Sequence, residues 1–183
     1  MKQIFIIVIL GLISACAATS QNAVIEIYPS VIASTIGNGT AISITVDDGR
    51  TSGVLGNLGE GKTIMTSQDL SQTIGLALVE SFKTKGFNVL STNDQNAVQI
   101  MVTIEELIYE KGGNAIKTDV KTKSRARLEV KDKSFIRTYS NSENRTIPFS
   151  ANADSNNSQL SSTLTALVEK IAGDNELLSA IIR

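Results

Sequence analysis

Ile116-Lys117-Thr118-Asp119-Val120-Lys121-Thr122-Lys123-Ser124-Arg125-Ala126-Arg127-Leu128-Glu129-Val130-Lys131 alternates residue by residue, and that alternation decides the fold class. Lys117, Asp119, Lys121, Lys123, Arg125, Arg127, Glu129 and Lys131 fall on one face. Ile116, Val120, Ala126, Leu128 and Val130 fall on the other, with Thr118, Thr122 and Ser124 among them. Successive side chains of a strand point to opposite sides, so the run reads as a half-buried strand of an antiparallel sheet.

Working outward, Gly112-Gly113-Asn114 is a hairpin signal just before this strand. Val98, Ile100, Val102 and Ile104 alternate until Glu106 breaks phase, as at a bulge. Phe135 to Phe149 supplies a last strand, with Pro148 near its end. Upstream, Ala41 to Val46 places Ile42, Ile44 and Val46 on one face, and Phe87 to Leu90 is a short lead-in. Between them Leu70, Ile74, Leu78 and Phe82 recur every four residues, with Ala77 and Leu76 or Val79 widening the stripe of an amphipathic helix. Thr66 or Ser67 is the expected cap, Asp69 lies in the first turn, Gly86 suits a left-handed cap and Phe87 packs back beneath it. Residues 151–158 read as a polar linker. Leu160, Leu164, Leu167, Val168 and Ile171 make a second helix closed by Gly173, and Asp174 caps a short third carrying Leu177, Leu178, Ile181 and Ile182. The order β-α-β-β-β-α implies an α+β two-layer sandwich, with about four antiparallel strands and two helices on one face.

The amino terminus sets the compartment. Met1-Lys2-Gln3 is a short basic start, and Ile4 to Ile13 is apolar but too short to span a bilayer, which needs ~20 residues. Leu12-Ile13-Ser14-Ala15-Cys16, ending on the only cysteine, resembles the lipobox of bacterial lipoprotein precursors. That resemblance implies removal of residues 1–15 as a signal peptide. It also implies a diacylglyceryl thioether on Cys16 and an acyl chain such as palmitate on its new amino group. Two buried chains already hold a protein stably at a membrane. Ala17, where retention in the inner membrane often involves Asp, favours the outer membrane with the domain facing the periplasm. The expected organisation is a signal peptide over 1–15, a lipidated terminus, tether and short extended segment over 16–40, and the folded α+β domain over 41–183.

Composition narrows the chemistry. The whole chain has net charge −1, and losing Lys2 with the leader makes it one unit more negative, against a nucleic-acid partner. There is no histidine, which removes Ser-His-Asp and Cys-His catalysis and the common zinc sites. No cofactor or metal site is expected. A single lipidated cysteine also leaves no disulfide.

Three features carry candidate sites. Gly56-Asn57-Leu58-Gly59-Glu60-Gly61-Lys62-Thr63 matches GxxxxGK[ST] letter for letter, the remote reading being a nucleotide-binding enzyme. A true phosphate loop joins a strand directly to a helix, whereas the helix expected here starts after the lysine, and residues 49–62 with five glycines read as flexible. The face from Lys117 to Lys131 carries six bases and two acids. Lys121, Lys123, Arg125 and Arg127 are its candidate contacts with an anionic ligand, beside the plainer reading of a solvated face. Asp48 and Arg50 flank Gly49 and are expected to pair and hold a turn, the alternative being a ligand role. Glu105 and Glu106 are neighbours on a strand and point opposite ways, so they cannot share a general acid–base task.

Taken together, the lipobox, Ile25-x-Ile27-x-Pro29, the strand ending in Asp48-x-Arg50 and the helix from Asp69 through Lys85-Gly86-Phe87 resemble YajG-type lipoproteins. The Ala97–Glu110 strand, Tyr139 with Phe149 and the C-terminal helix fit the same pattern, and the glycine-rich insert around 53–61 departs from it. The resemblance implies an outer-membrane-anchored periplasmic domain without agreed catalytic or cofactor residues. The expected role is a non-enzymatic binding or scaffold module in cell-envelope maintenance, with an envelope protein, lipopolysaccharide or peptidoglycan as partner. The alternative is an accessory factor for lipopolysaccharide or cell-wall traffic that uses the basic face.

Overall fold

The computed structural model describes residues 20–92, 94–114, 116–131, 133–148 and 151–183. Cys16, the leader, residues 17–19 and Phe149 lie outside the described residues.

Eight strands and three helices follow in chain order: β1 Gln21–Asn22, β2 Ala41–Asp48, β3 Val54–Gly59, β4 Lys62–Met65, α1 Leu70–Thr84, β5 Asn88–Val89, β6 Val98–Gly113, β7 Lys117–Val130, β8 Phe135–Pro148, α2 Ala153–Ala172 and α3 Asn175–Ile182. The expected two-layer sandwich with about four antiparallel strands is therefore wrong. The sheet has eight strands, is mixed, and curls into a half-barrel. The expected meander β6-β7-β8 is there, antiparallel throughout, with the bulge between Ile104 and Glu106. On the other edge of β6, β2 runs parallel from Ile42–Val98 to Asp48–Ile104, and β3 continues parallel at Gly56–Tyr109 and Asn57–Glu110. The physical reason lies in the connection. A strand that returns to its sheet by way of a helix re-enters from the same end, so the β2-α1-β6 crossover makes a parallel pair.

Three strands escaped the sequence reading. β3 and β4 form a hairpin whose turn, Glu60-Gly61, has φ of 53° and 74°. Positive φ at both central residues is the type I′ geometry that matches strand twist. The segment expected to be the most flexible is thus folded sheet. β1 adds Gln21 parallel to Ile64, inside what reads as tether.

Local chemistry explains the helices. Asp69, not Thr66 or Ser67, caps α1, accepting from the Gln72 amide. Its far end closes with Phe87 N–H to Phe82 C=O and Gly86 N–H to Lys83 C=O, a Schellman motif with Gly86 at φ 84°. Leu70, Ile74, Leu78 and Phe82 are buried as expected, while Leu76 is 62% exposed. α2 starts inside the expected linker, because Asn152 caps it through the Ser155 amide. One core joins both helices to the inner sheet face, where Val120, Ala126, Leu128 and Val130 meet Leu160, Leu164, Leu167 and Ile171. No helix among the described residues is long and apolar enough to cross a membrane.

After the Ala23 amide donates to the Met65 carbonyl (2.7 Å), residues 24–30 run extended along α2 without a ladder partner. Their amides are met by side chains instead: Val24 donates to Asn157 Oδ1 (3.2 Å), Glu26 to Ser161 Oγ (3.1 Å) and Ser30 to Glu169 Oε1 (2.7 Å). Two extended residues advance ~6.6 Å and four helical residues ~6 Å, so one polar stripe of a helix can serve an extended chain. Gln68 completes the arrangement, accepting from Ile25 N–H (2.5 Å) and donating to Ile25 C=O (3.2 Å).

Candidate functional site

The basic face is where alternation puts it, on the outer side of β7, but β6 neutralises it. Lys121 pairs across the strands with Glu110, and Lys123 Nζ lies 2.7 Å from Glu110 Oε1. Arg125 reaches both Glu105 (3.1 Å) and Glu106 (2.7 Å), because the bulge between Ile104 and Glu106 interrupts the alternation expected to point them opposite ways, and Arg127 reaches Glu129 (3.5 Å). The hydrogen bond from Lys123 holds the Glu110 carboxyl below its ordinary value. A strand read alone cannot reveal the charges of its neighbour, so the apparent positive excess of β7 is a mixed-charge surface in the sheet. Such exposed pairs are screened by solvent and contribute little individually.

Asp48 and Arg50 form a bidentate pair, with Nε to Oδ1 at 2.8 Å and Nη2 to Oδ2 at 2.7 Å. This hydrogen bonding holds the Asp48 carboxyl below the usual aspartate range. Arg50 Nη1 is buried without a protein acceptor, beside a shallow cleft of about 270 Å³ lined by Thr51, Ser52, Thr66 and Ser67. The guanidinium charge is already taken by Asp48, so this spare donor suits a neutral acceptor such as water or a carbonyl.

The apparent phosphate loop is the β3–β4 hairpin, and no helix follows its lysine directly: Lys62 opens β4 and its Nζ lies 3.5 Å from Glu60. Gly56 has a different task. A Cβ there would lie 1.8 Å from the Tyr109 carbonyl oxygen, so the glycine lets β3 lie against β6.

Sequence reasoning missed the polar network under the start of α2. Tyr109 OH donates to Asn156 Oδ1 (2.5 Å), Asn156 Nδ2 to Gln21 Oε1 (2.7 Å), and Gln21 Nε2 to Asn157 Oδ1 (3.1 Å) and to the Ala153 carbonyl (3.1 Å). Burial pushes the Tyr109 phenol up to about 12, so at neutral pH it is a hydrogen-bond donor and not a base. The signal available was a polar residue, Asn156, one helical turn before Leu160. A second network fixes α3. Asp174 Oδ2 accepts from Tyr139 OH (2.6 Å) and Arg137 Nη1 (2.6 Å), while Oδ1 accepts the Glu176 and Leu177 amides (2.9 and 3.3 Å). Arg137 also pairs with Glu176 and stacks 5.3 Å from the Phe135 ring centre.

Burial alone would raise the Asp174 carboxyl, but the bonds from Tyr139, Arg137 and the two amides outweigh it and leave the group lowered. Its stabilisation is therefore complete above about pH 4, the unfolded value, and is lost as pH falls through the lower folded value. Asp174→Ala is expected to cost about 2 kcal/mol at pH 7, one part from the cap and one from the Tyr139 bond. Asp174→Asn keeps the cap and costs less. Denaturant titrations from pH 7 to pH 2 check this: the gap between wild type and Asp174→Asn should narrow in acid, and a constant gap would contradict the assignment.

The polar clusters around Tyr109 and Asp174 tie α2 and α3 to the sheet. The family model for uncharacterized lipoproteins matches residues 29–182. The chain belongs to this family, the YajG-type lipoproteins. No curated protein matches the lipoprotein in sequence. Among solved structures, a protein from Xanthomonas campestris superimposes with a TM-score of 0.53 at 11% identity, over 89% of this chain and 96% of that one, a likeness of fold alone. A putative neuraminyllactose-binding hemagglutinin homolog from Helicobacter pylori gives 0.46 at 11% identity, over 85% and 96% of the two chains. The rare lipoprotein B from Shewanella oneidensis gives 0.38 at 5% identity, over 75% and 92%.

Proposed function

We propose that this lipoprotein is held in the outer membrane by lipid on Cys16 and acts from the periplasmic side as a non-enzymatic binding or scaffold module for an envelope partner. The observation that carries the reading is the lipobox cysteine set just before the first strand of a domain that belongs to a lipoprotein family. Only four backbone steps separate Cys16 from Ser20, at most ~14 Å, so an anchor on Cys16 keeps the domain close to the bilayer. Ala17 after the cysteine supports the outer over the inner membrane. The networks around Tyr109 and Asp174 support a rigid presenting module, since their polar groups are consumed in structure.

Mass spectrometry of protein from its native host, after separation of the two membranes, tests the reading. The expected N-terminal peptide begins at Cys16 and carries a diacylglyceryl group and an acyl chain, in the outer-membrane fraction. A bare thiol, or residues 1–15 still attached, would remove the basis for the anchor; an inner-membrane location would overturn the sorting alone.

A further inference from the structure

We infer that the end of the domain formed by the β3–β4 and β6–β7 turns rests on the bilayer, with Ile116 in the lipid headgroup layer. The inference depends on the lipid anchor at Cys16 and goes on to say which surface meets the membrane.

The chain leaves the domain at that end. Gln21 pairs in parallel with Ile64, and Ser20 Oγ lies 2.8 Å from Thr63 Oγ1, so Ser20 sits beside the turn that precedes Lys62. β3 and β6 run parallel through Asn57–Glu110, which brings Gly59 and Gly112 to the same end. Gln21, Gly59, Lys62, Lys111 and Gly112 accordingly line one cleft of about 610 Å³. Four backbone steps separate Cys16 from Ser20, a reach of at most ~14 Å, whereas the 16 residues of β6 extend over ~50 Å. The anchor therefore lies near this end and far from the other.

The surface there suits contact with lipid. Ile116 is 77% exposed at the hairpin tip. Asn114 Oδ1 accepts from the Ile116 and Lys117 amides (3.0 and 3.1 Å), which holds the backbone of the exposed isoleucine. Lys62 and Lys111 line the cleft at this end together with Glu60, 3.5 Å from Lys62, and Lys117 follows Ile116 in the chain and lies 3.6 Å from Asp119. Charge near balance makes this an apolar contact with lysine stems lying along it, and not a general attraction to anionic lipid. The far end, with Ile32 and the groove between residues 27–31 and α1, then faces away from the membrane.

The test uses the full lipidated chain in phosphatidylethanolamine–phosphatidylglycerol vesicles, with one fluorophore attached at Ile116→Cys, Glu60→Cys or Ile32→Cys. Lipidated Cys16 offers no competing thiol. Bromine on the acyl chains should quench the probes at 116 and 60 at least about threefold more than the probe at 32, as expected for a tip within ~5–10 Å of the headgroup–acyl boundary. Equal quenching at 116, 60 and 32 in protein whose mass includes the lipid overturns the orientation and leaves the anchor standing. A mass without lipid overturns both.

Discussion

Gly56→Ala is expected to destabilise the domain by about 3 kcal/mol, the upper range for an overpacked interior. The added Cβ would stand 1.8 Å from the Tyr109 carbonyl oxygen and 2.8 Å from its carbon, and both are backbone atoms of a central strand. No rotamer change relieves such a clash. β3 would have to draw away from β6, and the pairs Gly56–Tyr109 and Asn57–Glu110 would be lost with it. Tyr109 is buried and bonded to Asn156, so it cannot retreat without breaking the network under α2. Urea unfolding followed by circular dichroism checks this through a lower midpoint at unchanged slope. Gly61→Ala is the control, since its Cβ meets open space and only the φ of 74° opposes it, at about 1 kcal/mol. The two readings of GxxxxGK[ST] separate here: close strand packing makes Gly56 critical and leaves the melting temperature unmoved by Mg-ATP. A Gly56→Ala protein with wild-type stability, or a nucleotide-dependent shift abolished by Lys62→Ala, would contradict the packing account.

Phe82→Ala should cost about 4 kcal/mol, in the range for truncating a fully buried aromatic ring. Phe82 is 0% exposed, and its ring meets Phe87 edge-on at 5.5 Å and 73°. The same two residues close the helix, Phe87 N–H bonding to Phe82 C=O, so the cavity would open where the chain reverses into β5. Collapse into the space is hindered on the other side, because Gly37 already sits so close to Phe87 that a Cβ there would come within 2.6 Å of its ring. Phe82→Leu keeps most of the volume and should cost about 1–1.5 kcal/mol. At ~2–4 °C per kcal/mol for a domain of this size, the alanine variant should melt roughly 10–15 °C lower. A drop of only a few degrees would mean that the site relaxes and that the helix end is not the rigid corner described here.

Much of this protein was decided locally. Strict alternation fixed β7 and its inner face, the four-residue recurrence from Leu70 to Phe82 fixed α1, and Gly86-Phe87 fixed how α1 stops, because strand period, helix period and left-handed φ are properties of short stretches. The lipoprotein character is supported by the family match over residues 29–182. What a stretch cannot carry is the identity of its neighbour. The parallel edge of β6 depended on a helical crossover, and Gly56 took its meaning from the Tyr109 backbone. The basic look of β7 disappeared against Glu105, Glu106 and Glu110 of β6. Asn156, which read as linker, became buried structure because Tyr109 offered it a partner, and Asn156 in turn engaged Gln21, which read as tether. A polar group is exposed or buried according to whether something distant satisfies it, and only the tertiary structure supplies that something.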